Sequence, residues 1–501
     1  MAGKAEPPHP ASDQADWPGI PGIDGCETVA GGMANQGHVA ASAPSVEPSS
    51  ANAADVPAMA ETSGNTRRPD GDIRAAAMLA SDGLPAPVRL DDLLEPFARR
   101  GIDLDLSRMR RALAAGGHPE RRFAAVQVAG TNGKGSIATL LHAILSAAGL
   151  RCGVYRSPHM VSWCERIQLD DRWIAPATLR ADLARWRPIA AAHNLTPFEL
   201  LTAAAFERFA LSDLDLTILE VGLGGRLDAT TAHPDRGVVG FAAIGLDHCE
   251  HLGADLASIA REKAGVLSPG CVAISAPQHP EAAAVLESEA ERLGADLRWV
   301  PPLAHPEQGG PVLGLTGDMQ RANGAVAAAM ARALAERAWP WPGTCLSEAM
   351  IHAGLRAARW PGRLETRHLQ GLPLLLDGAH NPPAAAVLRR ELDRLDPGPR
   401  IWLIGIQRHK RGDDMLRLLL APGDHALIAP MAHHRCWSRE ELVASAPALA
   451  PQLETVSDPG EGLLRLVACL RTEPWSGRQA VVAGSLHLLG EVIPLLDPPT
   501  G

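Results

Sequence analysis

The sequence predicts an α/β protein: a nucleotide-binding domain around a mostly parallel sheet, a smaller α/β domain behind it, and a disordered N-terminal extension. Three observations lead there. The apolar run Val126-Gln127-Val128-Ala129 breaks into Gly130-Thr131-Asn132-Gly133-Lys134-Gly135-Ser136, and a helical pattern starts at Ile137, which is the strand, loop and helix order of a phosphate-binding loop (P-loop). Apolar strands at residues 216–221 and 238–244 alternate with helices and each ends in a polar cluster, the pattern of a parallel sheet that binds ligands at its carboxyl ends. After Trp360-Pro361-Gly362-Arg363 the alternation of strand and helix starts again at Leu374.

Residues 1–85 are rich in Ala, Pro, Gly and Ser; no leucine precedes Leu79 and no phenylalanine precedes Phe97. Such a segment buries too little apolar surface to offset its ordering entropy and is expected to be disordered. Order is expected from Val88, where Leu90, Leu93, Leu94 and Phe97, then Leu106, Met109 and Leu113, fall at helical spacing and predict two amphipathic helices. The helix after the glycine loop is expected to stop at Gly149. Cys152-Gly153-Val154-Tyr155 reads as the next strand, leading into Arg156-Ser157-Pro158-His159. Helices are predicted at 197–209, 258–266 and 319–335, with a strand at 272–275. Pro and Gly around residues 339–342 and at 361–362 punctuate the chain, placing the two ordered domains at 86–357 and 358–501. In the second, strands are predicted at 374–376, 401–406, 425–429 and 480–483, the first running into Asp377-Gly378-Ala379-His380-Asn381-Pro382.

Length and composition restrict the function. The chain has 501 residues, 46% of them hydrophobic, enough for large buried cores. Its net charge is −10 with pI about 6.0, so it lacks the basic footprint of a nucleic-acid binder. No apolar run reaches the roughly 18 residues of a membrane helix. The eight cysteines form no CxxC pair and are expected to be reduced thiols. The expectation is a cytoplasmic monomer acting on small molecules, with no nucleic-acid or membrane partner.

In the glycine loop, backbone N–H groups can crowd around phosphate oxygens, Lys134 adds a mobile positive charge and Ser136 can offer its hydroxyl to magnesium. Its spacing is unusual: two residues separate Gly130 from Gly133, and Gly135 intervenes between Lys134 and Ser136. Ser136, Ser157, Glu220 and Asp247 can supply oxygens to Mg²⁺, and His248 a nitrogen. Glu220 lies inside an apolar strand, where a metal or a salt bridge must compensate its charge. His248 is either a structural histidine or a ligand. Lys263 sits on a helix face whose spacing suits an exposed ion pair. Arg363 follows a Pro-Gly turn and suits a phosphate or an interdomain ion pair. Asp377 and His380 can meet a ligand's ammonium and carboxylate, or merely support a helix capped by Asn381. His433-His434-Arg435-Cys436 reads as a solvated polar loop.

Together, Val128-Ala-Gly-Thr-Asn-Gly-Lys-Gly-Ser136, Arg156-Ser-Pro-His159 with Glu165-Arg-Ile167, Thr196-Pro-Phe-Glu199, Glu220-Val-Gly-Leu-Gly-Gly-Arg-Leu-Asp-Ala-Thr230, Gly245-Leu-Asp-His248, Arg261-Glu-Lys-Ala-Gly265, Pro361-Gly-Arg363, Asp377-Gly-Ala-His-Asn-Pro382 and Gly484-Ser485 resemble the folylpolyglutamate synthase and dihydrofolate synthase family of the Mur ligase superfamily. The resemblance spans roughly residues 88–495. It implies an ATPase domain followed by a Rossmann-like domain, with the active site between them, and an ATP-dependent ligase that joins L-glutamate to dihydropteroate, to folates or to both. It implies nucleotide binding by Gly130, Thr131, Asn132, Gly133, Lys134, Gly135, Ser136, Asn323, Arg363 and Asp377. One Mg²⁺ would lie on Ser136 and Glu220, a second on Ser157, Glu220 and His248. Lys263 matches a carbamylated lysine, and with Lys134, His248 and His380 makes the catalytic set. Arg166, His380 and Ser485 match substrate positions, the last two on the amino-acid side.

Four departures from the family pattern stand out: Thr231 where Asn is usual, His487 where Tyr is usual, Asp318-Met319 where His is common before Gln320, and His409-Lys410-Arg411 for Asp-Lys-Asp. A Mur-type ligase with a cell-wall acceptor and a nucleotide-dependent switch are the alternatives.

Overall fold

The computed structural model describes residues 83–337 and 346–497. The expected disorder of residues 1–82, the punctuation at 339–342, and Cys26 and Cys345 lie outside the described residues. Two sheets organise the rest, within one compact unit. The first holds β1 (Ala125–Ala129), β2 (Cys152–Tyr155), β3 (Ile167–Leu169), β4 (Arg172–Trp173), β5 (Leu216–Glu220), β6 (Val238–Phe241), β7 (Val272–Ser275) and β8 (Asp296–Trp299), in the order β4-β3-β2-β5-β1-β6-β7-β8. Its pairs are parallel from β2 to β8, while β3 and β4 are an antiparallel extension. Every residue of β1, β5, β6 and β7 is buried, as continuous apolar runs covered by helices on both faces require. β1 lies between β5 and β6, so the chain turns to opposite sides of it. That is the switch point at which open α/β sheets bind ligands.

On one face the helix Lys134–Ala147 packs with the helices Met319–Glu336 and Glu348–Ala357 around Ile137, Leu141, Ile144, Val326 and Met330. Gly354 makes the contact possible, because a side chain there would strike the backbone of Ile144. On the other face, Trp186, Phe206 and Phe209 anchor the helices Pro176–Ala192 and Pro197–Leu211.

The second sheet holds β9 (Glu365–Leu369), β10 (Leu372–Leu376), β11 (Ile401–Ile404), β12 (His425–Ile428), β13 (Leu453–Thr455) and β14 (Ala480–Ala483), in the order β13-β12-β11-β14-β10-β9. Only the β9–β10 pair is antiparallel.

Several details differ from the sequence reading. The first expected helix is a single α turn, Asp91–Leu94, followed by a 3-10 helix at Glu95–Arg100, because Pro96 lacks the N–H that would continue the α ladder. Order begins before Val88: Leu84 is 1% exposed and joins the core of the second sheet, so an extension drawn to residue 85 runs three residues too far. The helix Pro176–Ala192, the strand β3 and the edge strands β4, β8, β9 and β13 carry weak patterns and were not expected.

Candidate active site

The glycine loop is shaped from below by its neighbours. Gly130 has φ 133°, and a Cβ there would come 2.8 Å from the carbonyl oxygen of Ala242. Gly133 has φ 103°, and a side chain would run into the amide of Asn323. Thr131 and Asn132 donate their N–H groups to Ala243 O at 2.8 and 3.2 Å, and the Thr131 hydroxyl and Gly245 share reciprocal contacts at 3.0 Å. The loop is therefore stitched to the segment that follows β6.

Two lysines bend over this loop. Lys134 Nζ donates to the carbonyls of Gly130 and Thr131 at 3.2 and 3.1 Å, and Lys263 Nζ donates to Gly130 O at 2.9 Å. Lys263 is 5% exposed, so the exposed ion pair suggested by its spacing is not what forms. Burial, reinforced by Lys134, brings its ammonium down to about 7. An amine that sheds its proton near neutrality is a nucleophile rather than a fixed charge.

Glu220 ends β5, beside Val128 of β1, and is 5% exposed. Burial raises its pKa, opposed by Lys134, Arg156 and Arg363. None of the three is in ion-pair contact with it among the described residues. Its carboxylate oxygens would lie 3.6 and 3.7 Å from a Cβ at Gly135. A small cavity here is lined by Gly135, Ser157, Glu165, Glu220, Trp360 and Arg363, which brings two of the sequence-predicted metal ligands and the second domain's arginine together. Ser136, buried, opens the adjoining helix. The neighbouring Arg156 stacks 4.7 Å from the Trp360 ring and is brought down to about 10 by burial.

Asp247 is the meeting point of the two sheets. It accepts from Lys410 Nζ at 2.7 Å and from Asn381 Nδ2 at 2.9 Å. Burial pushes its carboxyl up, but Lys410 and His248 outweigh it and hold the group well below the usual carboxylate range. The oxygen considered for magnesium is thus committed to a cross-sheet contact. His248 sits in the left-handed region at φ 53°, and burial brings its imidazole down to about 4, neutral and able to ligate. Lys410 Nζ lies 3.5 Å from His248 Nε2, so a cation at that nitrogen requires Lys410 to move.

From the second sheet, Asp377 accepts the N–H groups of Leu364 and Ala379 at 3.0 and 2.9 Å, with Arg363 beside it. His380 Nδ1 pairs with Gly378 O at 2.9 Å, and burial brings this imidazole down to about 4. Because a carbonyl only accepts, Nδ1 carries the hydrogen and Nε2 is an acceptor, 3.9 Å from Asp247 Oδ2. Asn323 donates to Gln320 Oε1 at 2.9 Å, and an open cleft begins near it, lined by Leu315, Asp318, Arg321, Leu364, Glu391 and Arg394.

Arg166 and Ser485 lie in a separate group. Arg166 Nε donates to His159 Nδ1 at 2.9 Å, and Ser485 caps the helix Leu486–Val492 by accepting from His487 N at 3.1 Å. His434, read as part of a solvated loop, stacks on His487 with ring centroids 4.0 Å apart. Sequence reasoning passed over Lys410, Asn381 as a cross-sheet contact, Arg156, Trp360 and this histidine pair. His487 stood among the noted departures and Lys410 was the retained lysine between two of them, which was the available signal.

Among the described residues, no helix is long and apolar enough to cross a membrane. The family described as "Dihydrofolate synthetase, C-terminal domain" matches residues 363–495. The dihydrofolate synthase/folylpolyglutamate synthase of Mycobacterium tuberculosis is 31% identical over 426 residues, covering 76% of this chain and 86% of that protein. A structure of the Mycobacterium tuberculosis folylpolyglutamate synthase complexed with ADP and AMPPCP superposes with TM-score 0.72 and 26% identity, over 82% of this chain and 98% of that one. A bifunctional folylpolyglutamate synthase/dihydrofolate synthase with Mn, AMPPNP and L-glutamate bound superposes with TM-score 0.67 and 30% identity, over 78% of this chain and 94% of that one. With these likenesses running through the glycine loop and the second sheet alike, the chain belongs to the folylpolyglutamate synthase and dihydrofolate synthase family of ATP-dependent ligases.

Proposed function

We propose that this protein joins the amine of L-glutamate to the carboxylate of dihydropteroate and of reduced folates, with cleavage of ATP, as a bifunctional dihydrofolate synthase and folylpolyglutamate synthase. Residues 86–357 serve as the ATP-binding half and 358–501 as the glutamate-binding half. One observation carries the reading: the phosphate loop and the Asp377–Asn381 segment meet directly, through Asn132, Asn381, Asp247 and Lys410, so that a phosphoryl donor and an entering amine share one crevice. Similarity to a relative with nucleotide, Mn and L-glutamate bound supports the same assignment.

The chemistry runs in two steps. The acceptor's carboxylate oxygen attacks the γ-phosphorus of ATP and the bond to the ADP oxygen breaks, leaving an acyl phosphate. Lys134 and Arg363 balance the charge. The glutamate amine then attacks the acyl carbon, the bond to phosphate breaks, and an amide, phosphate and a proton are released. His380 Nε2 is assigned to take that proton. Closure of the second sheet over the loop keeps water from the acyl phosphate. The nucleoside end of ATP runs from Asn323 toward the cleft at Asp318 and Leu364.

The donor set fits divalent cations. Ser136, Ser157, Glu220 and His248 offer two hydroxyls, a carboxylate and a neutral imidazole, and among the described residues no group of three or more His, Cys, Asp or Glu side chains forms an all-protein cage. Sparse oxygen donors suit Mg²⁺, which keeps water and phosphate oxygens as its other ligands. Bound there, such ions neutralise charge on the transferring phosphoryl group. Lys263 is proposed to be carbamylated: its neutral amine adds to CO₂, a proton leaves to solvent, and an anion replaces a neutral amine beside Lys134.

The test is an acceptor comparison. ADP formation is measured with dihydropteroate and with tetrahydrofolate and its monoglutamylated one-carbon derivatives, each with and without L-glutamate, and product chain length is read by mass. ADP formation that depends on acceptor and glutamate together is expected. Nucleotide hydrolysis indifferent to both would leave a nucleotide switch.

A further inference from the structure

The join between the two sheets carries a tryptophan that no step above uses. Ala358, 2% exposed, belongs to the core of the first sheet, against which Trp360 also packs, while Leu364, 2% exposed, belongs to a core of the second. Only Pro361, Gly362 and Arg363 lie between Trp360 and Leu364. The Trp360 indole sits on the phosphate loop: a Cβ at Gly135 would lie 3.5 Å from its Nε1, and 3.6 and 3.7 Å from the two Glu220 oxygens. The Arg156 guanidinium stacks 4.7 Å from the Trp360 ring centroid and 5.5 Å from that of Trp173. Arg156 is buried and is anchored in turn on Gln168 Oε1 at 2.6 Å. The indole N–H has no hydrogen-bond partner among the described residues, so it is the ring that the first sheet holds.

The residues after Trp360 are tied to the other sheet. Gly362 N donates to Glu365 Oε2 at 2.8 Å, Gly378 N to Gly362 O at 2.9 Å, and Leu364 N to Asp377 Oδ2 at 3.0 Å. The Arg363 guanidinium lies against Gly378, where a side chain would strike its Nη1. Gly362 and Leu364 flank Arg363 with φ 68° and 46°; for leucine that left-handed conformation is strained and persists only where its surroundings impose it. Arg363 therefore moves with the second sheet and Trp360 with the first. Proline's ring fixes φ at 361, which leaves its ψ and the torsions of Gly362 to absorb any change between them. A rotation there displaces each group in proportion to its distance from the join: little for Arg363, more for the Asn381 and Lys410 contacts across the crevice.

We propose that Trp360 is a positioning residue for phosphoryl transfer: its ring, seated on Gly135 and Arg156, pins the pivot of the second sheet, so that Arg363 stays in one cavity with Glu220 while the crevice at Asn381 and Lys410 opens and closes. The pivot follows from the packing alone; its part in phosphoryl transfer rests on the ligase reading. Opening then admits the acceptor and L-glutamate without dismantling the phosphate end of the site.

The experiment has two arms. Hydrogen exchange of the wild type is read by mass on peptides, without ligand and with AMPPNP, Mn²⁺, dihydropteroate and L-glutamate. Residues 358–366 should exchange equally slowly in both, while residues 243–249, 379–386 and 407–413 gain protection when ligands bind. Gained protection at 358–366 together with the others, or none at the crevice peptides, overturns the proposal. In the second arm kcat and the KM values for ATP and L-glutamate are measured for the wild type, Trp360→Phe and Trp360→Ala. Trp360→Ala should lower kcat/KM for ATP by at least about tenfold and leave KM for L-glutamate within about twofold, because a small misplacement of the groups around the phosphoryl donor is costly. Trp360→Phe, which keeps a ring over Arg156, should stay within about threefold of wild type. A merely structural role would lower the melting temperature without this split. Wild-type kcat/KM for ATP in Trp360→Ala, or a phenylalanine variant as impaired as the alanine one, overturns the proposal. Should Trp360→Ala fail to fold in a thermal melt, the wild-type exchange decides. Absence of ADP formation with every acceptor would instead count against the ligase reading, while the exchange pattern would still report on the pivot.

Discussion

Asn132 and Asn381 face each other across the two sheets and exchange hydrogen bonds, Nδ2 to Oδ1 in each direction at 3.1 Å. Asn132 belongs to the phosphate loop, while Asn381 also caps the helix Pro382–Leu395 by accepting from Ala384 N at 2.9 Å and donates to Asp247. Asn381→Ala should therefore cost about 2–3 kcal/mol, a lost cap plus unpaired partners, and Asn132→Ala about 1 kcal/mol. A double-mutant cycle on chemical denaturation should give a coupling of about 1 kcal/mol. Additive effects would mean that the pair does not hold in solution. Under the ligase reading, Asn132→Ala should lower kcat as well, because it loosens the contact that closes the crevice.

Glu220 carries a charge the fold alone would be better without. Its pKa is raised by burial, so ionising it costs folding energy: its contribution is favourable below the ordinary glutamate value of about 4.3 and is lost as pH rises through the higher folded value. Glu220→Gln should melt no lower than wild type at pH 8, while losing about two orders of magnitude or more in ADP formation. A large drop in melting temperature with activity retained would remove Glu220 from the cation site.

Asp247 behaves in the opposite sense. Lys410 and His248 hold its folded pKa below the unfolded value of about 3.9, so its contribution is complete above that pH and is lost as pH falls further. Lys410→Met leaves a buried carboxylate short of its main partner and should destabilise by about 3 kcal/mol at pH 7. It should also move the acid-unfolding midpoint to higher pH. An unchanged midpoint would show that the contact between the sheets does not depend on this pair.

The residues that touch phosphate were legible because chemistry constrains their order in sequence. Three glycines, a lysine and a serine must follow a strand, and an acidic residue inside an apolar strand announces itself as Glu220 does. What closes the crevice was not legible. Lys410 reaches Asp247 across 163 positions of sequence, and neither residue's spacing hints at the other. Trp360 was read as punctuation, yet its ring supports Arg156 at 4.7 Å. Thr231 shows the same limit. It stood out as a departure from the family pattern, and its hydroxyl accepts from Gln127 Nε2 at 2.9 Å and donates to Gly225 O at 2.7 Å, fastening the glycine turn after β5. Edge strands such as β4 and β13 are too short to show a period of two.

Lys263 separates a structural from a chemical role for a buried amine. As a free amine it titrates near 7 when folded and near 10.4 when unfolded, so between these values the unfolded state binds more protons and stability rises with pH. Lys263→Met should lack that rise in a series of melts from pH 7 to 10. If the lysine is carbamylated, the unfolded state still holds an ammonium while the folded state holds none, so the rise should begin below pH 7 and should retreat to above pH 7 when CO₂ is stripped from the buffer. Under the same reading Lys263→Ala should be nearly inactive and regain part of its ADP formation with a short-chain carboxylate, which restores an anion to the vacated space. An intact mass without added CO₂, together with no rescue, would leave Lys263 as a neutral donor to Gly130 that shapes the phosphate loop.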